Sequence, residues 1–230
     1  MFNHVPVNLP EISAKTTDGV RLYETPEGNK YPSITTVLST RNKKGLMEWR
    51  NKVGNEVANY VAGKAAARGT KVHHMCEDYL NNMEFNYPDK WEKHKKTFLP
   101  YCIFQQLKNQ ALCNIDNIHA QEAGLYSDKY KVAGRVDCVA EYNGKLSIID
   151  FKGSTRQKRE QDIENYYLQG TAYAIMWHER TKTPIHEFNI IVASENGAPC
   201  EVFSGNPVKY VPKLYRTIKN YHDANPALLV

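Results

Sequence analysis

The stretch Gly134–Ser154, GRVDCVAEYNGKLSIIDFKGS, constrains the chain more than any other. Apolar and polar residues alternate on both sides of Asn143-Gly144, and that dipeptide is the strongest short hairpin signal in the sequence. Strict alternation predicts Val132, Gly134, Val136, Cys138 and Ala140 on one face of the first strand, with Arg135, Asp137 and Val139 on the other. In the second strand Leu146, Ile148, Asp150 and Lys152 share a face. A closed hairpin sets Asp137 and Asp150 at similar height on paired strands. Two carboxylates so placed repel each other unless a cation sits between them. A hard divalent ion, Mg²⁺ or Mn²⁺, prefers oxygen ligands of this kind. Lys152 cannot ligate such an ion, but it can hold a water or neutralise charge on a phosphate. An exposed hairpin end carrying a weak Asp–Lys surface pair is the competing reading.

The rest of the chain divides by period. Residues 1–31 read as a loop-rich entry with a hairpin in GVRLYETPEGNKYPS, and residues 32–114 as mainly helical. SITTVLS is either a strand or a first helical turn capped by Ser33. Leu46, Trp49, Val53, Val57, Val61 and Ala65 recur at helical steps, which predicts an amphipathic stripe facing a core. A further helix, WEKHKKTFLPYCIFQQLKNQ, is expected to be interrupted at Pro100. Residues 115–195 switch to period two in three successive strands, then a helix over Ile163–Thr181 and a buried strand, HEFNIIVAS. Residues 196–230 close with a strand and a helix. A meander followed by a helical crossover predicts one mixed sheet with helices packed on it, within a single domain.

Two helices carry paired polar residues. His73 and Glu77 stand four apart beside apolar neighbours in GTKVHHMCEDYL, so they share a face. Gln169 and Tyr173 repeat the same step in LQGTAYAIMW, and both can donate hydrogen bonds. Each pair alone is common in helices, and a lone histidine beside an apolar face is usually a satisfied core residue.

Taken in order, Gly69-Thr70…His73…Glu77, Gly134…Asp137, Asp150-Phe151-Lys152 and Gln169…Tyr173 resemble the GTxxHxxxE, GxxD, DxK and QxxxY motifs of the PD-(D/E)XK nuclease superfamily, in its RecB-like branch. YPSITTVLS and LMEWR are further similar to N-terminal signatures of the mitochondrial genome maintenance exonucleases with their phage and bacterial relatives, and the likeness runs over residues 31–193. The resemblance implies an α/β (α+β) restriction-endonuclease-like core, a central mixed sheet flanked by helices with a helical N-terminal region. It implies a Mg²⁺- or Mn²⁺-dependent exonuclease acting on single-stranded DNA with free ends, in replication, recombination or repair. His73, Asp137, Asp150 and the backbone carbonyl of Phe151 would hold one or two ions. Lys152 would orient or activate the water, Glu77 would support the site, and Gln169 and Tyr173 would steady the lysine or touch DNA. Ser33 and Thr35 would contact a phosphate. A structure-specific flap or junction endonuclease of the same fold and a non-catalytic DNA-binding recombination protein are the alternatives.

Charge supports a polyanionic partner in its distribution more than in its total. The net charge is +5, but Arg41–Lys52, Lys64–Lys71 and Lys152–Arg159 are locally basic. Arg41, Lys43, Lys44, Arg50, Lys64, Arg68, Lys71 and Arg156 are candidates to attract phosphates, with Trp49, Tyr60 or Tyr167 available for base stacking. Cys76, Cys102, Cys113, Cys138 and Cys200 form no CxxC pair and are expected to be reduced, most of them buried. Only Cys200 follows the QxxxY helix, so no iron–sulfur cluster is expected, and no GxxxxGKS loop signals ATP use. A helicase or single-strand-binding protein would then supply unwound DNA. The N-terminal MFNHVPVNLPEISAK has no targeting pattern and no run is long enough to cross a bilayer, so a phage or bacterial enzyme of the cytoplasm is expected.

Overall fold

The computed structural model describes residues 1–17 and 19–226; the side chains of Thr17 and Lys43 also lie outside the described residues. Strands β1 (Ser13–Thr17), β2 (Val20–Glu24) and β3 (Lys30–Pro32) form a small antiparallel sheet. Six helices follow: α1 (Ile34–Ser39), α2 (Lys43–Val53), α3 (Asn55–Leu80), α4 (Met83–Asn86), α5 (Pro88–Lys95) and α6 (Phe98–Gln110). The main sheet begins with the meander β4 (Ile115–Ser127), β5 (Val132–Tyr142) and β6 (Lys145–Ser154). Helix α7 (Glu164–Thr181) crosses to β7 (Glu187–Ser194), and β8 (Glu201–Gly205) and α8 (Val211–Ala224) close the chain. The order is β4-β5-β6-β7-β8, with β6 and β7 parallel and the other neighbours antiparallel. The expected mixed sheet flanked by helices is present.

Helices cover both faces of this sheet. Ile34 and Val37 of α1, Leu168 and Trp177 of α7 and Leu214 of α8 pack on Val136, Val139, Ile148, Phe188 and Ile190. On the opposite face Met75, Cys76 and Leu80 of α3, Trp91 of α5 and Phe104 of α6 pack on Cys138, Ala140, Ile149, Phe151 and Ile191. Strands β6 and β7 are covered twice, which explains their almost unbroken apolar runs IIDF and NIIVA. At the hairpin tip Asn143 and Gly144 take φ values of 51° and 76°, the positive pair a two-residue type I′ turn requires.

Several expectations need correction. SITTVLS resolves to a helix, because Ser33 Oγ accepts from the Thr36 N–H at 3.0 Å and so caps its first turn. Pro100 does not interrupt a helix. The break falls before Phe98, and Pro100 sits in the first turn of α6, where its missing N–H costs nothing. Gly54, at φ 84°, splits the long helical pattern into α2 and α3. The stripe Leu46, Trp49, Val53, Val57, Val61 and Ala65 does not face a core: Val53 is half-buried, the other five are exposed, and neighbouring Tyr60 is 66% exposed. Two cysteines, Cys76 and Cys138, are buried, whereas Cys102 and Cys200 are half-buried and Cys113 is exposed; all are free thiols.

The alternation of β5 also fails at one point. Val136 and Val139 face the same core, while Cys138 and Ala140 face the other, so the strand steps across its pleat at Asp137. The partner strand is irregular at the same height, with Glu122 at φ 45°. Before the step, Gly134 passes under α7. A Cβ there would lie 2.8 Å from Tyr173 Cε1, 3.1 Å from its hydroxyl and 3.2 Å from Ile34 Cγ2. Gly134→Ala is therefore expected to destabilise the protein by about 1–3 kcal/mol, the usual cost of overpacking. The urea midpoint reads this directly, and an unshifted midpoint would mean that Tyr173 and Ile34 yield without strain.

Candidate active site

The β5–β6 ladder runs from Tyr142↔Lys145 to Cys138↔Ile149 and then ends. Asp137 and Asp150 occupy the next position on each strand, at the mouth of the fork. Beyond it β6 continues alongside β7, with Asp150 opposite Ile190 and Lys152 opposite Val192. Strand β5 instead bends toward the N-terminal part, where Ala133 bridges to Ser33. At the fork the Phe151 backbone N–H donates to Asp137 Oδ2 at 2.9 Å. A side chain thus replaces the strand carbonyl that an unbroken ladder would supply.

Two further elements reach this carboxylate. From α3, His73 Nδ1 lies 3.5 Å from Asp137 Oδ2 and 3.8 Å from Glu122 Oε1. Ligand atoms of His73, Glu122 and Asp137 all fall within 4.8 Å of one another. Asp150 stands beside this group and is 1% exposed. Lys152 Nζ donates to its Oδ1 at 2.7 Å and pairs with its buried Oδ2 at the same distance, so both oxygens face the ammonium. Lys152 also lies 5.3 Å from the ring centroid of Tyr166 on α7. The His73 imidazole and the Glu122 and Asp137 carboxylates, with the buried Asp150 carboxylate beside them, make a donor set that suits a hard divalent cation.

Burial pushes the Asp137 carboxyl above the usual carboxylate range, and the neighbouring charge of Asp150 pushes it further. For Lys152 burial disfavours the ammonium, yet the Asp150 and Asp137 carboxylates outweigh it and raise its value, so the side chain stays charged. Burial and the charge of Glu122 raise Glu77. The negative charge crowded here is thus held by one lysine and one imidazole.

The structure gathers His73, Asp137, Asp150 and Lys152 as the sequence suggests, with Glu77 one turn along α3 from His73. Gln169 and Tyr173 are buried and hydrogen-bond each other at 3.3 Å. Neither bonds Lys152 among the described residues; Tyr173 instead fills the space against Gly134. Ser33 is 2% exposed and is occupied as the α1 cap, while Thr35 faces solvent. Arg41 is tied to Glu164, Arg68 pairs with Glu195 at 2.6 Å, and Arg50 bonds Asn59 at 2.7 Å. Lys44, Lys64, Lys71 and Arg156 are exposed and make no ion pair among the described residues; the Lys43 side chain lies outside them. Trp49 is at the surface, but Tyr167 is buried against Phe188 and Tyr210. Glu122 and Tyr166 were not anticipated. The signal for Glu122 was an acid within the strand segment AQEAG; Tyr166 has none in ENYYLQG beyond its place one turn before Gly170.

Residues 46–197 match the family model described as the PD-(D/E)XK nuclease superfamily. The chain is 29% identical to mitochondrial genome maintenance exonuclease 1 of Mus musculus over 74% of its length, and 26% identical to the Homo sapiens protein of that name over 86%. The match covers 52% of the mouse protein and 60% of the human one, so the chain spans little more than half the length of these relatives. No helix among the described residues is long and apolar enough to cross a membrane.

The imidazole at the fork makes stability depend on pH when no ion is bound. Burial opposes its charge, but the Asp137 carboxylate and the Glu122 carboxylate 3.8 Å away prevail and hold His73 up to about 9 from 6.5. A raised folded value adds stability that is complete below the unfolded value and vanishes as pH climbs through the folded one. In EDTA the unfolding midpoint is therefore expected to fall between pH 6.5 and 9. His73→Gln should flatten that slope; equal slopes in the two proteins would show that the imidazole carries no folded-state charge.

Proposed function

The chain belongs to the PD-(D/E)XK nuclease superfamily, and from that premise we propose that it is a divalent-metal-dependent exonuclease hydrolysing phosphodiester bonds of single-stranded DNA with free ends. The observation that carries this reading is the fork itself. It sets a buried Asp150, paired with a charged Lys152, beside His73, Glu122 and Asp137. A chain with no ion to bind and no charge to stabilise gains nothing from such a cluster, because each buried charge costs desolvation.

In this proposal His73, Glu122, Asp137 and Asp150 hold the ion, with the Phe151 carbonyl as a further oxygen. The bound ion would supply Lewis-acid stabilisation of the negative charge that develops on the phosphate. Lys152 donates to the attacking water and offsets charge on the phosphate oxygens; its ammonium is positioned by Asp150 Oδ1 and covered by the Tyr166 ring. Glu77 supports the α3 side of the site. Gln169 and Tyr173 act behind it, holding β5 against α7 through the close approach to Gly134.

The exposed faces of α2 and α3 support a path for the strand. Trp49 and Tyr60 offer rings for stacking, and Lys44, Lys64 and Lys71 offer cations, a combination that grips a single strand without reading its sequence. Thr35 and Arg156 would add contacts near the site, and Arg41, Arg50 and Arg68 would contribute only on exchanging their present partners. The relatives are named exonucleases, which supports dependence on free ends. A role in DNA replication, recombination or repair, in a phage or bacterial setting with a helicase or single-strand-binding protein supplying the strand, belongs to the same proposal and rests on the likeness of the motifs.

Asp150→Ala and Lys152→Ala are each expected to slow cleavage of a labelled linear single strand by at least about 10²–10³-fold, with strand binding retained. EDTA should stop cleavage, and a covalently closed single-stranded circle should survive. Loss of binding equal to loss of cleavage would reduce the cluster to an architectural role, and cutting of the circle would replace the exonuclease with an endonuclease.

A further inference from the structure

A cavity of about 350 Å³ adjoins the candidate active site between the end of α3 and strand β4. Its construction is specific. Asn117 and Glu122 both take φ 45°, and the β4–β5 register slips between Asp116 and Ala120. The intervening residues are thereby released from β5. The N-terminal segment takes up their backbone groups: Ile118 donates to the Asn3 carbonyl and Val5 donates to the Ile118 carbonyl, both at 2.8 Å. The same segment ties to the end of α3, through His4 Nε2 with the Leu80 carbonyl at 3.0 Å and a paired contact of Phe2 with Asn82. This strap from β4 to α3 forms one wall of the cavity.

The polar lining is His4, Glu77, Asn81, His119 and Gln121, and no lysine or arginine contributes to it. Its hydrogen-bonding capacity is largely unused. Gln121 Nε2 donates to Asn81 at 2.8 Å, which leaves Gln121 Oε1 buried without a donor. Glu77 makes no hydrogen bond or ion pair among the described residues. Burial holds the His119 ring below its ordinary value, so it is uncharged at neutral pH. The cavity therefore offers the Gln121 and Glu77 oxygens as acceptors, amide N–H groups of Asn81 and Gln121, a ring face, and no lysine or arginine to balance an anion. Glu77 and Gln121 place it beside His73 and Glu122, which lie one turn and one residue away.

We propose that this cavity receives the terminal nucleoside of the DNA strand, end hydroxyl free, while the first internal phosphate lies at the His73–Glu122–Asp137 group. This rests on the nuclease reading and adds to it a selection among ends. A hydroxyl and the amino groups of a base are donors that match Gln121 Oε1 and Glu77. A terminal phosphate carries up to two negative charges, and it would meet the Glu77 carboxyl group in a lining that holds no lysine or arginine. The volume is at the small end of the roughly 300–1,000 Å³ of ligand pockets, room for one nucleoside and not for a passing chain.

The test uses linear single strands of one sequence bearing hydroxyls at both ends, a phosphate at the 5′ end, at the 3′ end, or at both, digested with Mn²⁺ or Mg²⁺. A phosphate at one of the two ends is expected to slow initial cleavage about tenfold or more, a coupling of about 1.4 kcal/mol. Gln121→Lys and Asn81→Lys each bring a cation into the cavity and should abolish or reverse that discrimination. Equal rates on all four strands, or a discrimination unchanged in both variants, would overturn the cavity assignment while leaving the nuclease reading intact. Failure of the unmodified protein to cleave any of the four overturns the nuclease reading, and the inference with it.

Discussion

The bond from the Phe151 backbone N–H to the Asp137 carboxylate is the contact on which the rest of the site depends. Where β5 bends away from β6, which stays paired with β7 throughout, a buried N–H loses its strand partner, and an unmatched donor of that kind costs about 1–3 kcal/mol. Asp137 meets that need, and in doing so its carboxylate is locked at the fork with one oxygen turned toward His73. Asp150 then falls directly opposite, and after burial itself its charge is what most raises the Asp137 carboxyl. Lys152 offsets part of that charge by facing both oxygens of Asp150 at 2.7 Å. The proposed cation would offset the rest from the His73–Glu122–Asp137 side. Sheet topology, rather than any loop, thus creates the site: an antiparallel pair that opens as β5 turns to Ser33 while β6 stays with its parallel neighbour.

Much of this was legible in the sequence, since the decisive residues sit at fixed offsets around a hairpin whose turn chemistry is unambiguous. Asn143-Gly144 sets the register, and the register sets Asp137 against Asp150. What local pattern could not reveal has a non-local cause. The step in β5 at Asp137 and the positive φ of Glu122 accompany a β4 strand that departs from its neighbour, and that departure is sustained by residues more than a hundred positions earlier. Period-two reasoning assumes an unbroken pleat, so it sorted Val136 and Val139 onto opposite faces and overlooked Glu122. Likewise Gln169 and Tyr173 were correctly set on the helix facing the hairpin, but their partner is a glycine's empty space rather than the lysine.

The α2–α3 arm shows a different limit. Helical periodicity identifies a face and says nothing about what covers it. Leu46, Trp49, Val57 and Val61 keep the spacing of a core stripe while standing in solvent, and the residues of α3 that reach the core, Val72, Met75, Cys76 and Leu80, lie in its second half. The helix therefore divides its length between two tasks. Its C-terminal half anchors in the sheet and delivers His73, and its N-terminal half carries rings and cations beyond the body of the fold. Any ligand held by the arm is thereby connected to the imidazole through one continuous helix.

In the proposed site that imidazole would also tie ion binding to proton release. With no ion present, Asp137 and Glu122 hold a proton on His73 well into the alkaline range, to about 9. An ion bound by the proposed ligands needs the nitrogen lone pair, so at neutral pH the proton must leave as the ion enters, and apparent affinity rises with pH until the ring is neutral without help. The carboxylates that attract the cation are the same ones that retain the proton. Strengthening the acidic cluster would therefore raise both terms together, and the gain in affinity at neutral pH would be smaller than the added charge alone suggests. Glu122 is where this compromise is set, because it touches His73 while its other oxygen lies 3.8 Å from the exposed Arg135.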